Sequence, residues 1–210
     1  MKYKGIFITF EGTDGSGKTT QIQYLKNYLE REGIPVTVTR EPGGTRIGER
    51  IRRILLDKGN RNMSDRTEIL LYAAARAQHI EEFLKPALAA GNVVICDRFV
   101  DSSIAYQGYG RDMLVEVMAV NSPMLAELTP DITFLLRLQP KDAFKRIEGR
   151  VNDRMETQGA QFHERVYKGY EELLARYPKR IIGLEANLPK KELKKQICQK
   201  VTELIEQRKL

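Results

Sequence analysis

Short apolar runs alternate along the chain with longer segments of helical periodicity. Most of the runs are continuously apolar, as is typical of parallel strands buried on both faces. The runs predict strands at Lys4–Phe10, Pro35–Arg40, Val93–Cys96, Ile132–Leu138 and Arg180–Leu184. The segments between and after them predict helices over about residues 17–32, 46–57, 65–89, 112–127, 141–149, 159–176 and 190–207. This alternation predicts one parallel sheet of five strands with helices on both faces.

The length of 210 residues and the absence of repeats or long linkers indicate one domain, spanning residues 1–210. A hydrophobic content of 41% excludes a disordered chain, although 30% of the residues are charged. No apolar run is long enough for a membrane span or a signal-peptide core, so we expect a cytoplasmic protein with no membrane partner. Cys96 and Cys198 are too far apart in sequence to indicate a metal site, and we expect both to be reduced.

The net charge of +7 raises the possibility of a nucleic-acid partner. More than half of it comes from the segment 190–209, which has seven basic and three acidic residues, or +4. In that segment Leu193, Ile197, Val201 and Leu204 recur at helical spacing. The segment therefore predicts an amphipathic helix whose basic face is solvated, and we expect no nucleic-acid partner.

Polar and glycine-rich segments follow three of the predicted strands: Glu11–Thr20, Glu41–Thr45 and Asp97–Arg111. Because ligands of parallel α/β sheets bind outside the carboxyl ends of the strands, we expect these segments to form one site. His79 and His163 lie in helical runs away from these segments, so we expect surface or interface roles for them rather than catalysis. Asp65, with Glu68 three residues later, predicts a capping box at the start of the long third helix.

The strongest motif is G-x-x-x-x-G-K-[ST] between the first strand and the first helix, which predicts a phosphate-binding loop. Its glycines let backbone N–H groups surround phosphate oxygens at a helix N-terminus. We expect Lys18 to reach the β- and γ-phosphates of a nucleoside triphosphate and Thr19 to hold Mg²⁺. The pattern as a whole predicts a three-layer α/β/α P-loop NTPase fold. The predicted nucleotide-binding residues are Gly12, Thr13, Asp14, Gly15, Ser16, Gly17, Lys18, Thr19 and Thr20.

Two carboxylates near this loop are candidate site residues. Asp97 ends an apolar strand, as a metal-proximal acid does, although many buried strands end in Asp for turn reasons. Asp14 lies inside the loop and would repel a triphosphate, so it must face a sugar hydroxyl, a metal or solvent.

The loop contains no arginine, and the segment 145–154 is a candidate source of the missing positive charge. Arg146, Arg150 and Arg154 recur every four residues beside Gly149, which predicts a lid over about residues 146–157. Such a lid would contact phosphate and exclude water. We expect Arg150, then Arg146 and Arg154, to contact the transferred phosphoryl; a solvated helix face is the alternative.

Three further segments, Arg40-Glu41-Pro42-Gly43-Gly44-Thr45, Asp97-Arg98-Phe99 and Ala105-Tyr106-Gln107-Gly108, resemble the thymidylate kinase family when taken with the phosphate loop. The resemblance runs in order from residue 6 to about 170. It implies transfer of phosphate from ATP to dTMP with Mg²⁺, in a homodimer of the type with arginines in the lid.

The resemblance also implies roles for individual residues, including Asp14 near the 3′-hydroxyl of dTMP or the metal. Tyr72 would stack on thymine and Arg76 would bond it, with Tyr72 as a core residue the alternative. Tyr106 would exclude ribonucleotides. The implied substrate-binding residues are Asp14, Glu41, Pro42, Tyr72, Arg76, Asp97, Arg98, Ser103, Tyr106 and Gln107. The implied catalytic residues are Lys18, Arg98, Arg150, Arg146, Arg154 and Asp14, and the implied metal ligands are Thr19 and Asp97.

Two other functions remain open on the sequence. One is a P-loop kinase for another monophosphate or for a deoxynucleoside, which the phosphate loop would equally serve. The other is an ATPase stimulated by nucleic acid, which the basic charge would favour.

Overall fold

A computed structural model of the chain describes residues 3–149 and 153–208, and five parallel strands form its central sheet. In spatial order the sheet is β2-β3-β1-β4-β5, so the predicted five-stranded parallel sheet is confirmed. The strands are β1 (Ile6–Glu11), β2 (Val36–Arg40), β3 (Val93–Asp97), β4 (Ile132–Arg137) and β5 (Ile181–Glu185). The described helices are α1 (Lys18–Arg31), α2 (Arg46–Leu56), α3 (Asp65–His79), α4 (Lys85–Ala89), α5 (Val100–Ser103), α6 (Leu114–Glu127), α7 (Pro140–Ile147), α8 (Ala160–Arg176) and α9 (Lys190–Arg208).

Alternate residues of the central strands pack into two separate hydrophobic layers. Ile6 and Ile8 of β1 contribute to the layer that includes α1 and α9, whereas Phe7 contributes to the layer on the other face. Burial on both faces explains why β1 is apolar at nearly every position. The result is the predicted three-layer α/β/α arrangement.

The carboxyl ends of β1, β2 and β3 are level with one another. Phe10 of β1 and Arg40 of β2 both pair with Asp97 of β3. The segments that follow these strands therefore start from the same edge of the sheet, as the sequence predicts. This edge carries the candidate site.

The segment 97–111 is largely helical, whereas the sequence pattern predicts no helix between residues 89 and 112. After α5 the chain continues as a π-helix over Ile104–Gly110. Its glycines serve close helix packing, because a Cβ on Gly110 would lie 2.6 Å from the Phe162 ring of α8. Glycine content alone does not separate a loop from a tightly packed helix.

The predicted helix 65–89 consists of α3, a π-helical turn at Ile80–Leu84, and α4. The π-turn ends where Lys85 donates to the Ile80 carbonyl, directly before Pro86, which has no N–H to donate. Ser64, not Asp65, caps α3, since the Ser64 hydroxyl accepts from the N–H of Thr67. The predicted capping box at Asp65 was therefore wrong.

The C-terminal helix α9 is amphipathic, as predicted. Its buried residues are Leu193, Ile197, Val201 and Ile205, so Ile205 takes the place expected for Leu204, which is only partly buried. None of the helices within residues 3–149 and 153–208 combines the length and the apolar composition needed to cross a bilayer.

Candidate active site

The phosphate-binding loop is a tight turn between β1 and α1 that only glycine permits at two points. Gly12 has φ +128°, and a Cβ there would lie 2.5 Å from the Leu136 carbonyl oxygen. Gly17 has φ +97° and is the N-cap residue of α1. The turn therefore brings the backbone of residues 12–17 to the N-terminus of α1, which is an anion-binding geometry.

Lys18 is buried in the first turn of α1, with its ammonium group held inside the loop. Its Nζ donates to the carbonyl oxygens of Gly12 (3.0 Å) and Thr13 (3.1 Å) and lies 4.0 Å from Oδ1 of Asp14. Burial lowers the pKa of Lys18 and so does nearby Arg98, whereas the surrounding acids oppose this shift. A desolvated cation attracts phosphate more strongly than an exposed one.

Arg98 joins the end of β3 to the phosphate loop. It has φ +69°, and its N–H donates to the Phe10 carbonyl of β1 (2.9 Å). Its Nη2 donates to Oδ1 of Asp14 at 2.8 Å. The structure therefore brings the loop and Arg98, which are far apart in sequence, into one cleft.

The ion pair between Arg98 and Asp14 controls the charge of both side chains. Burial would raise the pKa of Asp14, but Arg98 and Lys18 outweigh it and hold that pKa below its usual value. Burial would lower the pKa of Arg98, but Tyr106 and Asp14 outweigh it. Both groups are therefore ionised at neutral pH, and the negative charge of Asp14 is balanced by cations.

The loop and Arg98 open into a cavity of about 470 Å³, a volume typical of small-molecule sites. Most residues that the sequence predicts for the site line it: Asp14, Gly15, Gly17, Lys18, Thr19, Thr20, Glu41, Pro42, Tyr72, Arg76, Asp97, Arg98, Ser103, Tyr106, Gln107 and Arg146. The loop residues Gly12, Thr13 and Ser16 are buried and do not line the cavity.

Arg76 is fully buried at the wall of the cavity, and the protein already uses most of its hydrogen bonds. It donates to Oε2 of Glu41 (2.8 Å), Oγ of Ser103 (2.8 Å), the Phe99 carbonyl (3.3 Å) and Oδ1 of Asn121. Since a guanidinium has five N–H groups, these four bonds leave one for a ligand. The guanidinium is thus rigidly oriented.

His79 belongs to the same buried cluster, and the expectation of a surface or interface role away from the strand ends was wrong. Its Nδ1 lies 3.0 Å from Oε1 of Glu41, and its Nε2 lies 2.7 Å from Oγ1 of Thr39, near the end of β2. The side chain is fully buried. His79 and Arg76 together orient Glu41 from opposite sides of its carboxylate.

Gln107 and Tyr106 come from the π-helix that follows α5. Gln107 donates from Nε2 to Oε1 of the buried Glu68 (2.9 Å), and its own Oε1 has no donor among the described residues. The Tyr106 ring lies 5.2 Å from the Arg98 guanidinium carbon. The helical form of this segment, which sequence reasoning missed, is what places both side chains on the cavity wall.

Thr19 and Asp97 line the same cavity and fit a magnesium ion. Oδ1 of Asp97 is buried and has no hydrogen-bond partner within the described part of the chain. Magnesium is typically held by one or two protein oxygens together with substrate phosphates. Thr19 and Asp97 would supply the protein oxygens, and the phosphate loop would hold the phosphates that complete the set.

Arg146 and Arg154 do not lie on one helix, contrary to the expectation that the four-residue spacing of the lid arginines aligns them. Helix α7 ends at Ile147, and Gly149 has φ +82°. Arg146 lines the cavity and donates to the Gly15 carbonyl of the phosphate loop (3.3 Å). Arg150 lies outside the described residues.

Arg154 does not line the cavity, contrary to its expected role at the transferred phosphoryl. It is buried, with Nη1 2.7 Å from Oε2 of Glu68 and Nε donating to the Leu55 carbonyl (2.7 Å). Arg111 also pairs with Glu68, at 3.1 Å. Arg154 therefore anchors the C-terminal side of the predicted lid to α2 and α3.

Replacing Arg154 by Met is expected to lower the free energy of unfolding by about 3 kcal/mol, because it removes one partner of a buried carboxylate. Urea denaturation measures the change. Arg146→Met is the matched control and should shift the unfolding free energy by less than about 0.5 kcal/mol, since Arg146 is exposed. Lost turnover with unchanged stability in Arg154→Met would contradict the anchoring role.

Some residues that line the cavity are not predicted from the sequence. Arg52 of α2 donates to the Pro42 carbonyl (2.8 Å) and faces the cavity, but nothing in the sequence separates it from its neighbour Arg53. The acidic residues Asp153 and Glu156 also line the cavity, on the lid side. Glu11 is buried at the end of β1, and apart from its position before the phosphate loop nothing in the sequence indicates a functional role for it.

The parallel sheet and the phosphate loop define a nucleotide-binding protein of the P-loop class, in which a second, partly buried cation, Arg98, faces the loop. The family model for thymidylate kinase matches residues 10–197. The chain belongs to the thymidylate kinase family.

Curated relatives extend this likeness over nearly the whole chain. The thymidylate kinase of Exiguobacterium sibiricum is 46% identical over 206 residues, covering 97% of this chain and 97% of that protein. That of Symbiobacterium thermophilum is 46% identical over 204 residues, covering 97% and 95%. That of Pelotomaculum thermopropionicum is 50% identical over 191 residues, covering 90% and 88%.

Proposed function

We propose that this protein transfers the γ-phosphoryl group of ATP to dTMP, giving ADP and dTDP. The observation that carries the proposal is the 2.8 Å contact between Arg98 and Asp14, because the phosphate loop and a second cation then share one cavity. Transfer between two nucleotides needs both features at once. Family membership and the relatives' names support dTMP as the acceptor.

Lys18 and the backbone of residues 12–17 would bind the ATP phosphates, and Arg98 would bind the phosphate of dTMP. An oxygen of that phosphate attacks the γ-phosphorus in line, and the bond to the β–γ bridging oxygen breaks with ADP taking the electron pair. The attacking oxygen is already anionic, so no general base is needed. Catalysis then rests on alignment and charge neutralisation.

Magnesium would be held by Thr19 and Asp97, and when bound it neutralises phosphate charge. Arg146, which lines the cavity beside the loop, would add positive charge from the lid. On the sequence alone, we assign Arg150 the same role. We also propose that residues 146–157 form a lid and that the chain is a single kinase domain. Water exclusion by the lid would favour transfer over hydrolysis of ATP.

The acceptor pocket would recognise dTMP by its base and sugar. The Tyr72 ring would stack on thymine, while Arg76, Ser103 and the free Oε1 of Gln107 offer hydrogen bonds to its edge. Tyr106 would fill the space of a 2′-hydroxyl. Glu41 and Pro42 would shape the wall, and Asp14 would face the 3′-hydroxyl or the metal.

Replacing Tyr72 by Ala is expected to raise KM for dTMP about 10- to 100-fold, since stacking of an aromatic ring on a base contributes about 1–3 kcal/mol. Tyr72→Phe is the matched control and should keep KM for dTMP within about threefold of the parent, because the ring remains. Steady-state kinetics at saturating ATP measure both variants. Equal KM values for all three proteins would remove Tyr72 from the base site and make it a packing residue.

The proposed reaction is tested by supplying ATP and Mg²⁺ with dTMP, UMP, CMP or thymidine as acceptor. We expect dTMP to be preferred. Preferential phosphorylation of thymidine, UMP or CMP would refute dTMP as the substrate. ATP hydrolysis that DNA or RNA stimulates, without phosphoryl transfer, would refute the proposed kinase reaction.

We propose further that the protein is a cytoplasmic homodimer. Large apolar side chains are exposed on neighbouring helices α2 and α3, with Ile47 49%, Ile54 47% and Leu70 58% accessible, and such exposure favours burial against a second copy. A cytoplasmic location follows from the proposed substrates, which are intracellular nucleotides. Sedimentation equilibrium tests the dimer, and a monomer at micromolar concentration would exclude it.

A further inference from the structure

Behind Arg98 lies a buried carboxylate, Glu11, that the proposed phosphoryl transfer does not use. It is the last residue of β1 and has no solvent exposure. Its Oε1 accepts from the backbone N–H of Phe99 at 2.7 Å. Its Oε2 accepts from the hydroxyls of Ser102 and, at 3.0 Å, Tyr170. Burial raises the pKa of Glu11 to about 7, whereas the Ser102 hydroxyl, the Arg98 charge and the Phe99 N–H favour its ionised form.

The same two hydroxyls are the partners of Arg98. Its Nη1 donates to Oγ of Ser102 (3.1 Å) and to the Tyr170 hydroxyl (3.2 Å). The other nitrogen, Nη2, points to Asp14 in the phosphate loop. Two hydroxyls thus hold Nη1 of the guanidinium, while Nη2 faces the cavity.

We propose that Glu11 is a positioning residue that fixes the Arg98 guanidinium for the acceptor phosphate, a role that rests on the proposed function. A carboxylate can only accept hydrogen bonds, so a hydroxyl that donates to Glu11 turns its lone pairs toward Arg98. The Ser102 and Tyr170 hydroxyls also lie 2.9 Å apart, which joins them and Glu11 in one network behind Arg98. The bond from Phe99 also holds the backbone directly after Arg98, whose positive φ of +69° is costly for a non-glycine residue. Glu11 therefore fixes both the backbone and the side chain of Arg98.

The first test is Glu11→Gln, which keeps the size of the side chain but introduces an N–H₂ donor that can turn the Ser102 and Tyr170 protons away from residue 11 and toward Arg98. We expect kcat/KM for dTMP to fall about 10- to 100-fold, the loss typical of a misplaced binding group, while KM for ATP stays within about twofold. Calorimetric titration with dTMP alone should show a similar loss of affinity.

The decisive measurement is a double-mutant cycle with Arg98→Ala, because a residue that acts through Arg98 has nothing to position when Arg98 is absent. We expect Glu11→Gln to change dTMP affinity less than about twofold in the Arg98→Ala background. Independent, multiplicative losses would overturn the proposal and leave Glu11 a structural residue. Parallel weakening of ATP and dTMP would overturn it as well.

Tyr170→Phe provides a second test if Glu11→Gln folds poorly, because it removes only one hydroxyl from the network. It should lower the affinity for dTMP and leave the affinity for ATP unchanged. Tyr167→Phe is the matched control on the same helix, where the hydroxyl accepts from Nε2 of Gln139 and does not line the cavity, and it should leave kinetics unchanged. A parent enzyme that does not phosphorylate dTMP would refute the proposed function, whereas an active parent with unaffected Glu11→Gln and Tyr170→Phe variants would refute the positioning role alone.

Discussion

Replacement of Lys18 by Met is expected to lower kcat about 10³-fold while leaving the fold intact. The ammonium group is the cation held inside the phosphate loop, within 3.1 Å of two loop carbonyls. Charge moves onto the β–γ bridging oxygen as the phosphoryl group leaves, and a preorganised cation in a site of low water content stabilises that charge strongly. Methionine fills the same space without the charge.

Single-turnover measurement of ADP and dTDP formation checks the Lys18 prediction, and circular dichroism checks the fold. Lys26→Met is the matched control, since it makes the same substitution two turns further along α1. The Lys26 ammonium is 3.5 Å from Glu30 and its side chain is 37% exposed, so the control should retain full activity. A Lys18→Met enzyme with more than a tenth of parental kcat would contradict the role of the loop.

Arg98→Ala is expected to lower kcat/KM for dTMP about 10²–10³-fold, mainly through a higher KM for dTMP. The guanidinium is held in place by Ser102 and Tyr170, so it meets the acceptor phosphate already oriented. ATP affinity should be largely intact, because the loop backbone and Lys18 remain. Separate titrations with dTMP and ATP measure the two effects.

Arg66→Ala is the control for Arg98→Ala, because Arg66 is exposed on α3 and does not line the cavity. It should change neither affinity. An equal loss of affinity for ATP and dTMP in Arg98→Ala would mean that Arg98 does not act specifically on the acceptor phosphate.

The lid shows how far sequence spacing can mislead about side-chain direction. Arg146 and Arg154 are eight residues apart and looked equivalent as phosphate ligands. Helix α7 ends at Ile147, so the periodicity that would align them stops after Arg146. Arg154 instead finds a buried carboxylate, Glu68, which the sequence places far away. An arginine pairs with the acidic residue that lies next to it in the folded chain. The spacing of arginines in the sequence does not identify that residue.

His79 was misjudged for a related reason. A histidine in a helical run is usually compatible with the surface, and its partners Thr39 and Glu41 lie some forty residues earlier. The start of α3 was misjudged because Ser64 and Asp65 are both good capping residues and only the backbone decides between them. In each case the missing information was a long-range or conformational choice.

By itself the sequence determined the alternation of buried strands and helices, the phosphate loop and the family, because continuous apolar runs and a glycine-spaced motif depend only on local order along the chain. Tertiary structure alone decided which cations face the cavity, that residues 100–110 are helical, and that Glu11 lies behind Arg98. These features depend on contacts between residues up to 159 positions apart, such as Glu11 with Tyr170. Only folding brings such pairs together, because burial selects the partners that satisfy each desolvated charge.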